Sequence, residues 1–182
     1  MAIETLRPTA NTLSGLGSYS PWANPANAYD GNSGTAATAS EFVNTTATID
    51  ATMTLETWQA AAHQSGYTAL VLKVTYSVVV SLTATGSGTS SASWTLTYST
   101  DGGSTFTTLA SGFGSQASTT VSVSLSTSQN LADLQFSIVA QAAALPKTGT
   151  ASSTCDASVV DVWTEGTYVP GLAGCFGYTF GF

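Results

Sequence analysis

The chain has 182 residues, the length of one domain, and a domain of this size folds without help from a disulfide or a metal. Charged residues make up only 7% of it, whereas Ser and Thr together number 56, so hydroxyl groups supply most of the polarity. A net charge of −7 with only three Lys and Arg argues against a nucleic-acid partner, which needs clustered cations. No apolar run reaches the length of a membrane span, so no membrane partner is expected.

The first 45 residues differ in composition from the rest. The N-terminus has neither a basic nor an apolar stretch, which is not the pattern of a secretory signal, so synthesis and retention in a cytoplasm are expected. Residues 14–40 are rich in Gly, Asn, Pro, Ala and Ser. Residues 1–45 are therefore predicted to be a loop-rich entry segment of a single domain that spans residues 1–169.

Strand patterns follow along the chain. Apolar and polar residues alternate with a period of two, the pattern of half-buried strands, in residues 46–55, 70–82, 93–99, 120–126, 134–141 and 157–163. In the last of these, Val159 and Asp161 are assigned to one face and Val160 and Val162 to the other. The ten residues predicted to form one core are Leu72, Val74, Tyr76, Val78, Trp94, Leu96, Val121, Val123, Phe136 and Ile138.

Turn signals connect these strands. Asp101-Gly102 predicts a hairpin, and the glycines at 86, 88, 112 and 114 predict loops. A short helix is possible over residues 56–64, but strands and helices do not alternate along the chain. Seven or eight antiparallel strands predict an all-β, two-sheet β-sandwich, most simply a jelly roll.

The C-terminal residues 170–182 carry no charge and are rich in glycine and aromatic residues. Such a segment is predicted to lie on an apolar surface, either on its own sandwich or on a neighbouring subunit. We favour the neighbour, which makes the segment an arm and the protein a homo-oligomer. The proposed interface residues are Phe176, Tyr178, Phe180 and Phe182.

Candidate catalytic groups are sparse. His63 is the only histidine, and no serine lies in a nucleophile-elbow pattern. Asp161 and Glu165 are the one close carboxylate pair on a predicted strand face, and a structural role is favoured for them. Cys155 and Cys175 are expected to be reduced thiols, with a disulfide after release as the alternative. The protein is therefore predicted not to be an enzyme.

Three segments together resemble the galactose-binding-like (discoidin-type) jelly rolls. They are the loop Asn27-Ala28-Tyr29-Asp30-Gly31-Asn32 with Thr35 and Thr38, the hairpin over residues 94–109, and the strand over residues 160–168. The opening Leu6-Arg7-Pro8-Thr9 resembles the start of small β-rich structural proteins of tailed phages.

The resemblance to galactose-binding-like domains implies two kinds of site. That family often holds a structural Ca²⁺ in this loop, which would put Asp30, Asn32, Thr35 and Glu165 around the ion; the alternative is a plain Asp-Gly-Asn turn. No other cofactor is expected. Sugar stacking would fall to the aromatic residues Tyr19, Trp22 and Trp58, which as an alternative belong to the core.

The function predicted from these features is structural. The resemblance to phage proteins implies a virion component, most simply a capsid decoration (cement) protein or a related tail or fibre component, located in the virion and contacting other virion proteins and copies of itself. The alternative, from a different class, is a carbohydrate-binding module or an adhesin domain.

Overall fold

The computed structural model describes residues 1–17 and 21–170. These residues form ten strands, namely β1 (Ala2–Leu6), β2 (Pro8–Leu16), β3 (Ala37–Val43), β4 (Ala47–Trp58), β5 (Tyr67–Ala84), β6 (Thr89–Ser99), β7 (Thr107–Gly112), β8 (Gln116–Leu125), β9 (Gln135–Leu145) and β10 (Ala151–Tyr168). Three short 3₁₀ turns lie at Pro25–Ala28, Gln64–Gly66 and Leu131–Asp133. Within the described ranges, no helix is long and apolar enough to cross a membrane.

The strands form two antiparallel sheets. In sheet 1, β10 is central and pairs with β5 on one side, and β5 pairs in turn with β8. On its other side β10 pairs with both β1 and β3, which lie along different halves of this long strand. Sheet 2 has the order β2-β4-β9-β6-β7. The all-β, antiparallel two-sheet sandwich is therefore confirmed, with the layered arrangement that a jelly roll requires.

The core lies between the sheets and is built from alternate residues of each strand. Eight of the ten residues predicted to form it are buried, including Leu72, Leu96 and Phe136, whose exposure is zero. Val121 and Val123 are only half-buried, because they lie on β8, the edge strand of sheet 1, and pack against the margin of the core. The alternation therefore predicts which residues face inward, and the position of a strand in its sheet decides how deeply they are buried.

Two local predictions need correction. Residues 1–45 contain three strands, β1, β2 and β3, which cover 21 of them, so the loop-rich part is confined mainly to the connection between β2 and β3. Their sequences are rich in Ala, Ser and Thr with few large apolar residues, so the alternation is faint. The helix considered over residues 56–64 does not form: β4 continues to Trp58, and only a 3₁₀ turn follows at Gln64–Gly66. Thr57 has a positive φ of 56°, which interrupts the alternation of β4, and Trp58 is buried directly after it.

The inward and outward faces of β10 also differ from the prediction. Its pairing with β5 shifts register between Val159 and Asp161, which is a β-bulge at Val160. Val159 and Val162 are therefore both fully buried, while Asp161 turns to the outer face. Bulges re-aim side chains in this way and are often found next to functional sites.

Candidate functional site

The outer face of sheet 1 holds most of the chain's scarce positive charge. Only three Lys and Arg occur in the whole sequence, and two of them, Arg7 and Lys73, have side chains on this face. Each is paired with a carboxylate of β10, Arg7 with Asp161 and Lys73 with Glu165. We call these four residues together with Trp163 the Trp163 cluster.

Trp163 lies between the two ion pairs, because Asp161, Trp163 and Glu165 are alternate residues on the same side of β10. The indole Nε1 donates to Glu165 Oε1 at 2.9 Å. Lys73 is the cross-strand partner of Trp163 on β5, and its Nζ donates to Glu165 Oε2 at 2.7 Å. The Lys73 ammonium is also 6.0 Å from the centroid of the Trp163 ring. The indole is thus fixed at both its edge and its face.

The two donors also set the charge of Glu165. The hydrogen bond from Lys73, followed by that from Trp163, lowers the pKa of the Glu165 carboxyl below its usual value. Glu165 is therefore an anion at neutral pH, and each of its oxygens already has one donor. Since a carboxylate has about four acceptor positions, it retains free lone pairs for a ligand.

The Arg7 pair closes a gap in the sheet. The pairing of β1 with β10 begins at Thr164 and that of β3 ends at Val159, so within the described ranges residues 160–163 have no strand partner on that side. Arg7 follows β1, and its guanidinium donates to both oxygens of Asp161, at 3.2 and 2.9 Å. Gly31 lies against the guanidinium, because a Cβ there would come within 3.0 Å of Arg7 Cζ. The loop of residues 30–35 therefore borders this end of the cluster.

The four tryptophans of the chain divide into two kinds. Trp22, Trp58 and Trp94 are only 3 to 7% exposed, and their Nε1 atoms donate to main-chain carbonyls. Trp163 alone is partly exposed, and its Nε1 donates to a side chain. The prediction that Trp22 and Trp58 stack on sugars is therefore wrong, because their rings are buried in the core. Tyr19 lies outside the described residues.

The loop around Asp30 is closed by its own hydrogen bonds. Asp30 accepts from Asn32 N and from Thr35 Oγ1, both at 2.7 Å, and these bonds lower its pKa, with Thr35 contributing most. Glu165, the fourth residue of the predicted Ca²⁺ site, is held instead by Lys73 and Trp163. In the described part of the chain, no three His, Cys, Asp or Glu side chains form a group that could hold a metal. Ca²⁺ in this loop stays a prediction.

A second polar cluster surrounds Glu4, near the end of β10. Glu4 accepts from Tyr67 Oη at 2.6 Å and from the main-chain N–H groups of Ala62 and His63. Burial opposes these bonds, but together they lower the pKa of Glu4. His63 Nδ1 is 3.4 Å from Glu4, and its ring stacks on Tyr168 at 3.9 Å. The hydrogen bonds of this cluster join β1 to residues 62–67, and the His63 ring stacks on Tyr168 at the end of β10, so the cluster serves the fold.

Several predicted residues cannot be placed. The proposed interface residues, listed as Phe176, Tyr178, Phe180 and Phe182, lie outside the described residues, as does Cys175. Cys155 is a free, fully buried thiol.

The Trp163 cluster was missed by sequence reasoning for a physical reason. Asp161 and Glu165 were recognised as a pair, but the bulge that turns both outward with Trp163 has no signal in the residue pattern. The cation partners come from residues 154 and 92 positions away, and strand pairing at that range is not readable from periodicity. The sequence does contain one indication of the site. Because the chain has only three Lys and Arg, each of them is a candidate for a specific ion pair.

No protein-family model matches the sequence, and no curated protein matches it. Among solved structures, the chain is similar to the carbohydrate-binding module TmCBM61, determined in complex with β-1,4-galactotriose, with a TM-score of 0.36 and 12% identity. The match covers 87% of this chain and 89% of that one. Similarity at this level defines neither a function nor a ligand.

Proposed function

We propose that this protein is a non-catalytic domain that binds carbohydrate through the Trp163 cluster. The observation that carries the proposal is the placement of the one partly exposed tryptophan between two carboxylate–cation pairs on the outer face of a sheet. An aromatic face with a few convergent polar groups is the usual composition of a small-molecule site.

The chemistry of the cluster suits a sugar. The apolar C–H face of a pyranose packs on an indole ring, because the negative π-face of the indole attracts the positively polarised C–H hydrogens of the sugar. Around that ring, Asp161 and Glu165 offer acceptor oxygens to hydroxyl groups, and Lys73 and Arg7 offer donors. The hydrogen bonds within the cluster hold the side chains in place before a ligand arrives, which lowers the entropy lost on binding.

A glycan array with immobilised protein tests the proposal. We expect selective binding that is lost in Trp163→Ala and weakened in Lys73→Ala. Lys147 is the third cation of the chain and is exposed away from the cluster, so Lys147→Ala is the matched control and should bind normally. Phe113→Ala, at the exposed turn between β7 and β8, controls for the loss of an aromatic ring.

Intrinsic fluorescence gives a second readout. Because three of the four tryptophans are buried, a bound sugar should change the emission of Trp163 alone, and Trp163→Phe should abolish the change. Absence of selective binding to any glycan, with all variants folded by circular dichroism, would contradict the proposal.

A second candidate is the virion role expected from the sequence, with the same fold acting through contacts between subunits. The observation that bears on it is the exposure of two apolar side chains, Phe42 at 56% and Val79 at 59%, on the outer face of sheet 1, where they suit a contact between subunits. Mass spectrometry of purified particles tests the location in the virion.

The proposed C-terminal arm is tested by light scattering of the whole chain and of a chain that ends at Tyr168. A shorter chain that is folded but no longer self-associates would support the arm.

A further inference from the structure

We infer that the Trp163 cluster binds at least two consecutive units of an uncharged oligosaccharide that lies along β10. The inference rests on the proposed function and adds to it the size and the charge of the ligand. It comes from the spacing of Asp161, Trp163 and Glu165 and from the way each carboxylate is neutralised.

The spacing sets the length of the ligand. Asp161 and Glu165 are four residues apart on one face of a strand, and Trp163 lies midway. A strand rises about 3.3 Å per residue, so the Cα atoms of Asp161 and Glu165 are about 13 Å apart. The Glu165 carboxylate lies at the edge of the indole, where one stacked ring meets it, whereas the Asp161 carboxylate and its Arg7 partner lie further along β10. A stretch of this length is longer than one six-membered ring and matches two or three linked rings. A ligand that uses the whole cluster therefore extends beyond one sugar unit.

The pairing of charges sets the kind of sugar. Asp161 accepts two hydrogen bonds from Arg7, and Glu165 accepts one each from Lys73 and Trp163. Each anion is thus matched by one cation, and the cluster as a whole carries no net charge. A uronic acid or a sulfated unit would place a further anion beside Asp161 or Glu165, where no unpaired cation faces it among the described residues. Neutral hydroxyls instead use the lone pairs that the carboxylates still have.

The surroundings give the site two different ends. Beside Asp161, Arg7 and the backbone of Gly31 form a border. Beside Glu165 the cross-strand neighbour on β1 is Thr5, which is exposed. The Asp161 end of the cluster is therefore bordered by other residues, whereas the β1 side of Glu165 is open.

The test is calorimetry of the full chain with mono- to tetrasaccharides of β-1,4-linked glucose, galactose and mannose, together with oligogalacturonates of the same lengths. For at least one neutral series we expect affinity to rise at least tenfold from one unit to three. Asp161→Asn and Glu165→Gln should each reduce the affinity for the trisaccharide about tenfold. Asp156→Asn changes a carboxylate on the far half of the same outer face and should have no effect.

Each outcome bears on a separate claim. Equal affinities for one and three units would overturn the inference on length and leave carbohydrate binding intact. Tighter binding of the oligogalacturonates would overturn the inference on charge. No binding in any series, by a protein whose circular dichroism is native, would overturn both the inference and the proposed function.

Discussion

Arg7 and Asp161 are 154 positions apart in the sequence and are joined by two hydrogen bonds, from Nε to Oδ1 at 3.2 Å and from Nη2 to Oδ2 at 2.9 Å. The contact lies where β10 has no strand partner between the ends of β1 and β3. A side chain thus takes the place of main-chain pairing at this point. Because the guanidinium also supports Gly31, one ion pair connects β10, the end of β1 and the loop of residues 30–35.

Removing this pair should weaken the fold only modestly. The two side chains are 26% and 16% exposed, so solvent screens the attraction, and we expect Arg7→Met to lower the free energy of unfolding by about 1 kcal/mol. Urea denaturation of Arg7→Met, Asp161→Asn and the double variant measures the coupling between them. Lys147→Met is the exposed control. Strictly additive effects would contradict the pairing.

Gly166 is predicted to tolerate no side chain. A Cβ at this position of β10 would lie 2.3 Å from two ring carbons of Tyr67, which packs across the glycine. Gly166→Ala should therefore displace Tyr67 and cost about 1–3 kcal/mol. Gly114→Ala is the matched control, since nothing lies within 4 Å of its Cβ, and should change stability little. Thermal melts of the two variants compare them, and equal melting temperatures would show that Tyr67 is not held against Gly166.

Asp101, in the hairpin between β6 and β7, should make the free energy of unfolding depend on pH in the acid range. Hydrogen bonds from Thr105 and Ser99 lower the pKa of Asp101 to about 2 from its usual 3.8. Between these values the unfolded chain binds more protons than the folded one, so stability falls as pH drops from about 4 to 2. The melting temperature of Asp101→Asn should fall less over this range than that of the wild type. Parallel pH curves would rule out a folded-state role for the Asp101 charge.

Calcium in the Asp30 loop is tested by metal removal. If the ion predicted from the sequence is bound, excess chelator lowers the melting temperature, added CaCl₂ restores it, and Asp30→Asn removes the response. Asp101→Asn, in the other Asp-Gly loop, is the control and should keep it. A melting temperature that does not respond to chelator leaves the loop held by the hydrogen bonds from Thr35 and Asn32 alone.

The layers of the fold were predictable because burial imposes a period of two on each strand. Residues 70–82 illustrate this: their apolar face predicts β5, and Leu72, Val74 and Val78 are buried in the structure. The Asp101-Gly102 hairpin was predictable for a local reason, since Gly102 has a positive φ of 72° that glycine adopts at low cost.

The candidate site was not predictable in the same way. Aromatic residues gave no indication of which ring is exposed, because Trp22 and Trp58 satisfy their N–H groups on buried carbonyls and Trp163 does not. The bulge at Val160 reverses the expected facing of Asp161, and only pairing with β5 reveals it. The alternation of apolar and polar residues predicts which side chains of a strand face inward. The site depends instead on how β10 pairs with β5, which the alternation does not show.

Cys155 should be chemically silent in the native protein. Burial raises the pKa of its thiol to about 11, with the Asp156 and Glu41 charges adding to the effect, so almost none is thiolate at pH 8. In a Cys175→Ser background, Ellman's reagent should not react with the folded chain and should react with one thiol per chain in 6 M guanidinium chloride. Labelling that follows the denaturation curve would place Cys155 in the cooperative core. Fast labelling of the folded protein would mean that β3 and β10, whose residues Glu41 and Cys155 are paired, separate under native conditions.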